Sequence, residues 1–152
     1  MNSEALIKEI ENKFSQCSDF AQRIVLSAAG QKITVLYIIN LCDKKYITES
    51  ILKPLSYERN TEFSEATLLG IFASLPLVKC SDSNAAAEKI LTGNAVIIGE
   101  SNNQSFCFAA DARSEDGRSI SEPESESVVR GPRQGFVENA MLNVTMLRKI
   151  IK

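Results

Sequence analysis

The ten residues Lys32–Leu41, KITVLYIINL, constrain this chain more than any others. Isoleucine, valine, leucine and tyrosine fill both alternating parities of the run, with little polar interruption. β-Branched and aromatic side chains suit a pleated surface, and a strand apolar on both faces must be covered on both. The run therefore predicts a central strand with a layer on either side. Thr34 and Asn40 interrupt it, and it falls far short of the ~20 residues that cross a bilayer. The first residues, MNSEALIKEIENKF, lack the basic start and apolar core of a signal peptide. The expectation is a soluble domain whose parent, if membrane-bound, carries its spans elsewhere.

Other segments take their places around that strand. Leu6, Ile10 and Phe14 form a helical stripe over residues 3–17, with Ser3 as the expected N-cap. Ile24-Val25-Leu26 fits a strand or a helix end, and Gly30 then punctuates the chain. Asp43-Lys44-Lys45 reads as a polar turn, then Ile47–Leu52 as a short helix with Thr48 as a cap and Pro54 as its stop. Leu77–Cys80 fits a short strand. A helix from Asn84 to Thr92 would start on Ser81 or Ser83 and end on Gly93 as its C′ residue. Ala95–Ile98 and Ser105–Ala110 read as strands paired antiparallel through a hairpin loop at Gly99–Gln104. Beyond Asp111 the chain turns charged and serine-rich to Ser125. A final amphipathic helix begins at Phe136, with Ala140, Asn143, Leu147 and Ile150 on one face. This order predicts a single α/β domain: a layered mixed sheet with flanking helices and a C-terminal amphipathic helix.

Composition removes several kinds of chemistry. The net charge is −2, which leaves no basic footprint for nucleic acid. There is no histidine, so a Ser-His-Asp or Cys-His triad is excluded. Cys17, Cys42, Cys80 and Cys107 contain no C-x-x-C spacing, and no metal or other cofactor is expected. Cys42 and Cys107 sit in apolar surroundings and read as small buried hydrophobes of a reduced protein. Phosphate-binding glycine loops are missing as well. What remains for an enzyme is a carboxylate pair in residues 111–126, where Glu115, Asp116, Glu122, Glu124 and Glu126 crowd together. Such a pair needs rigid spacing, which a serine-rich loop supplies poorly.

The stretch Glu122–Lys149 is the most specific. Glu122, Glu124 and Glu126 alternate, so an extended backbone would turn them to one side. Arg130 and Arg133 flank a Gly131-Pro132 turn. Glu138 falls in the first turn of the final helix, where a carboxylate complements the dipole. Asn143 interrupts the apolar face and should be hydrogen-bonded. Two readings stand. The arginines pair with the nearby glutamates and pin the loop to the helix, or they bind a partner's carboxylate or an anionic ligand.

The run E-P-x-x-E-x-x-x-R-G-P-R-x-G-F-x-E over 122–138, with Asn143 and Leu147-Arg148-Lys149, resembles the signature of the A subunits of spore germinant receptors. Gln134 departs from it, since the family usually has glutamate there. Val35-Leu36-Tyr37, Asp43, Ile51–Leu55, Leu91–Val96 and Asp111-x-Arg113 match more loosely. The resemblance implies a non-catalytic domain, the first of two α/β subdomains ahead of membrane spans. It also implies B and C subunits as partners, the spore inner membrane as the parent's location, and nutrient-triggered germination as the process. A small-molecule nutrient germinant is a further implied partner. The candidate interaction residues are Glu122, Glu126, Arg130, Arg133, Glu138 and Asn143.

Overall fold

The computed structural model describes residues 2–28, 30–59, 63–102, 104–114 and 147. Among these residues are five strands: β1 (Phe20–Leu26), β2 (Lys32–Ile38), β3 (Leu77–Lys79), β4 (Asn94–Ser101) and β5 (Gln104–Asp111). Their order across the sheet is β1-β2-β4-β5-β3. The predicted central strand is β2, internal to the sheet and buried from Ile33 through Ile38. It stops three residues short of the predicted end. Leu41 N–H turns back to the Ile38 carbonyl at 3.1 Å, and the Asn40 side chain donates to Asp19 Oδ2 at 3.0 Å.

Two apolar layers cover the sheet, as the doubly apolar run requires. On one face Ile33, Val35, Tyr37, Ala95, Ile97, Phe106, Phe108 and Ala110 meet Ile47, Ile51, Leu55, Phe63, Leu68 and Phe72. On the other, Leu36, Ile38, Val96, Ile98, Cys107 and Ala109 meet Leu6, Ile10, Ala86 and Ile90. The helices of this second layer are α1 (Ser3–Lys13) and α5 (Ser83–Leu91), which also pack on one another. Each fully buried aliphatic chain of this kind contributes about 1.5–3 kcal/mol. The stripe read from the sequence is the one buried: Leu6, Ile10 and Phe14 are 3%, 0% and 5% exposed. Phe14 then stacks on Phe20, centroids 4.9 Å apart, and ties the helix to β1.

The α/β class stands, but among the described residues the sheet is antiparallel throughout rather than mixed. β3 and β4, joined by α5, do run the same way. β5 lies between them, antiparallel to both, so no parallel pair forms. Pairing of β4 with β5 is as expected, though the strands extend through the predicted loop to Ser101 and Gln104. Asn102 takes φ +50° in the turn, a conformation asparagine tolerates.

Helix caps differ in detail. Asn2, not Ser3, caps α1 by accepting from Glu4 N–H at 3.0 Å. Asp82, between the two expected serines, caps α5 by accepting from Asn84 and Ala85 N–H. Asp43 begins a helix rather than a turn, accepting from Lys45 and Tyr46 N–H. That helix runs through α2 (Lys44–Tyr46), a π-helical turn (Ile47–Leu52) and α3 (Lys53–Tyr57), while Thr48 bonds back to Lys44 O instead of capping. Pro54 lies inside it. A proline there lacks one N–H and crowds the preceding turn, and the widened turn, with Lys53 N–H bonded to Thr48 O, absorbs it. Another helix, α4 (Glu65–Ile71), carries Leu68 into the first layer. Leu147 is helical, and the rest of the predicted C-terminal helix lies outside the described residues.

Candidate functional site

Glu122, Glu126, Arg130, Arg133, Glu138 and Asn143 lie outside the described residues, as do Glu115, Asp116 and Glu124. What the structure describes is the corner from which the chain enters that stretch. Three separated segments meet there: Leu41–Asp43 after β2, Gly93 after α5, and Asp111–Ser114 at the end of β5. Cys42 and Arg113 form an isolated antiparallel bridge. Asp43 N–H donates to Ala112 O at 2.9 Å, and Ser114 N–H donates to Leu41 O at 3.0 Å.

Gly93 allows this convergence. It ends α5 at φ +85°, as expected of a C′ glycine, with its N–H bonded to Ile90 O. The Arg113 stem lies directly over it, so that a Cβ on Gly93 would sit 2.7 Å from Arg113 Cγ and 3.2 Å from the Leu41 carbonyl oxygen. The Cys42 thiol donates to Gly93 O at 3.4 Å. Burial pushes that thiol up to about 12, so it stays protonated and serves as a donor rather than a nucleophile.

Arg113 closes the corner by gripping Asp111. Its Nε donates to Asp111 Oδ1 at 2.9 Å, and Nη2 pairs with Oδ2. These hydrogen bonds hold the Asp111 carboxyl below the usual carboxylate range. A general acid at neutral pH needs the opposite shift. The described member of the 111–126 acidic segment is thus committed to an ion pair. Among the described residues, no group of three or more His, Cys, Asp or Glu side chains is arranged to hold a metal ion.

Asp111→Asn tests the grip. A depressed folded-state pKa contributes stability above the ordinary carboxylate value of about 3.9 and loses it as pH falls through the folded value. Both partners are exposed, with 66% and 42% of their side chains accessible, so the contribution is at most about 1 kcal/mol. The variant should melt no more than about 2–4 °C below the parent at neutral pH, with the gap closing in acid, by thermal denaturation followed from pH 2 to 7. A gap that widened in acid would contradict the pairing.

The pieces of sequence that match the germinant-receptor resemblance loosely, Asp43, Gly93 and Asp111-x-Arg113, are brought together here. Cys42's role as a donor carried no sequence signal beyond burial.

Comparison with known proteins bears on the whole chain. The family model described as "Bacillus/Clostridium GerA spore germination protein" matches residues 8–152. Spore germination protein KA of Bacillus subtilis (strain 168) is 32% identical over 79% of the chain, and Stage V sporulation protein AF of the same organism is 33% identical over 84%. The chain spans 22% and 26% of the lengths of those two relatives. The crystal structure of the N-terminal domain of the A subunit of the Bacillus megaterium spore germinant receptor GerK3 superposes with a TM-score of 0.66 at 17% identity, over 95% of this chain and 52% of that one. That match shows a shared fold. Among the described residues, no helix is long and apolar enough to cross a membrane.

Proposed function

We propose, from the premise that this chain belongs to the Bacillus/Clostridium GerA spore germination protein family, that it is the first N-terminal subdomain of a germinant receptor A subunit. In this reading it takes part in nutrient sensing, or in the signal relay and assembly that trigger spore germination, and performs no catalysis. Its partners are the receptor's B and C subunits and, where the domain senses directly, a small-molecule nutrient. Membrane attachment at the spore inner membrane comes from segments outside this sequence.

The observation that supports this most is the family match over residues 8–152, which takes in both the corner and the Arg130–Glu138 stretch. The named relatives are germination and sporulation proteins, consistent with a non-catalytic role. The corner supports contact or relay over capture. Cys42, Gly93, Asp111 and Arg113 are spent on one another, which makes a stiff root for the stretch from residue 115 onward. Arg130 and Arg133 are the groups we assign to recognition, through charge-assisted bonds to carboxylates.

The test is a spore-forming strain whose own copy carries Arg130→Ala with Arg133→Ala. Each lost charge-assisted bond is worth about 1.5–3 kcal/mol, roughly a tenfold or larger weakening of the contact. Nutrient-triggered loss of refractility should slow by that order, with spore yield unchanged. Normal germination in this strain, and in one lacking the gene, would overturn the reading. The near-equal identity to Stage V sporulation protein AF favours a second reading, in which spore formation itself is the process. Reduced spore yield with normal germination would select it. Titrating the chain with amino acids, sugars and nucleosides while following amide NMR shifts separates the two roles: localised shifts indicate nutrient capture, and silence indicates relay.

A further inference from the structure

Cys80 and Cys107 oppose each other at the outer edge of the sheet. β3 is the edge strand, pairing with β5 through Leu77↔Ala110, Val78↔Ala109 and Lys79↔Phe108. One step further in the same register, Cys80 N–H donates to Cys107 O at 2.9 Å. Both thiols are free and both belong to the apolar layer beneath α1 and α5. Opposed residues of an antiparallel pair have Cα atoms about 4.5–5.5 Å apart. That lies inside the roughly 4.4–6.8 Å window of a disulfide. The register therefore brings together two side chains able to bond covalently. Cys42 belongs to the opposite layer, bonded to Gly93.

We propose that Cys80 and Cys107 are a redox-modification site, forming a reversible intrachain disulfide by exchange with a low-molecular-weight disulfide. Cys80 loses its proton and attacks one sulfur of the small disulfide. The first small thiolate leaves, takes up a proton, and a mixed disulfide remains on Cys80. Cys107 then attacks the Cys80 sulfur, and the second small thiolate leaves with the proton that Cys107 gives up. Two protein thiols are oxidised to one disulfide, and one small disulfide is reduced to two thiols.

The order of attack follows from the local chemistry. The neighbouring Cys107 thiol holds Cys80 below the ordinary thiol range, with the Lys89 ammonium helping. The same proximity, with burial, pushes Cys107 up. Cys80 is thus the first nucleophile. Access comes from its place at the end of a three-residue edge strand, which opens with few hydrogen bonds lost. A hydrogen-bonded pair sits at the wide end of the spacing range. That spacing is near the commonest for a disulfide, so the bridge closes with little movement of β3, and at the sheet edge small thiols can reach it to reduce it. Because Asp82 caps α5 two residues on, the bridge also fastens the start of that helix.

The test exposes the purified 152-residue chain to oxidised glutathione under native conditions, then maps its cysteines by mass spectrometry. The expected product loses two of its four thiols, contains a Cys80–Cys107 cross-linked peptide, and reverts with dithiothreitol. Cys107→Ser should accumulate a glutathione adduct on Cys80, and Cys80→Ser should form no bridge. A chain with Cys17→Ser and Cys42→Ser should still bridge. Survival of all four thiols, a bridge through Cys17 or Cys42, or bridging only in denaturant would overturn the proposal. The mapping of the parent chain decides alone if a serine variant loses its circular dichroism.

Discussion

Gly93→Ala should lower the melting temperature by roughly 6–12 °C, and Arg113→Ala in the same chain should return part of that loss. Two costs combine at this position. An L-residue held at φ +85° leaves the preferred backbone regions, at about 1–2 kcal/mol. The new methyl also sits 2.7 Å from Arg113 Cγ, an overpacking of about 1–3 kcal/mol. A total near 3 kcal/mol converts to the stated shift, at about 2–4 °C per kcal/mol for a domain of this size. Arg113→Ala alone removes only an exposed ion pair and should cost less than about 1 kcal/mol. In the double variant the Cγ contact is gone, while the backbone strain and the 3.2 Å approach to the Leu41 carbonyl persist. The loss should then be smaller than the sum of the two single losses, by about 1–2 kcal/mol in a double-mutant cycle followed by circular dichroism. Losses that simply add in the double variant would mean that Arg113 does not lie over this position.

The elements legible in the sequence are those whose signals are local. The doubly apolar run of β2, the Leu6-Ile10-Phe14 stripe and the C′ glycine at position 93 all encode their structure within a few residues, and each appears in its place, though β2 ends at Ile38 and α1 at Lys13. Caps are local too, but where Ser81, Asp82 and Ser83 stand in a row the choice among them depends on how α5 sits against the sheet. Strand order depends on distant contacts. Nothing within Leu77–Lys79 states that it pairs beyond β5 rather than beside β4, and that choice decides between an antiparallel and a mixed sheet. The corner and the thiol pair are of the same kind. Leu41–Asp43, Gly93 and Asp111–Ser114 converge only through tertiary pairing, and a slip of one residue between β3 and β5 would part Cys80 from Cys107. The residues proposed for recognition, Arg130 and Arg133 above all, remain expectations of sequence and family.

Gly99 carries the other large expected effect, and here sequence reasoning took a strand residue for a loop residue. Its neighbours Glu100 to Gln104 are polar, so the glycine read as the start of a hairpin loop. In the structure it lies within β4, opposite Phe106 of β5. The phenyl ring covers the bare backbone so closely that a Cβ would meet Phe106 Cζ at 2.3 Å and Cε2 at 2.8 Å. Phe106 is 3% exposed and its ring packs 6.0 Å from that of Phe63, itself held by a bond from its N–H to Gln31 Oε1. The ring has little room to retreat. Gly99→Ala should therefore cost about 1–3 kcal/mol by overpacking. Phe106→Ala should cost about 3–5 kcal/mol, because the cavity opens between β4 and Phe63. At about 2–4 °C per kcal/mol, the second loss is at least 6 °C. Combining them separates strain from cavity. Once the ring is absent, the alanine methyl meets no clash and fills part of the void, so the double variant should melt at or above Phe106→Ala alone. Additive losses would show instead that Gly99 is required for its backbone, and that the aromatic cover plays no part.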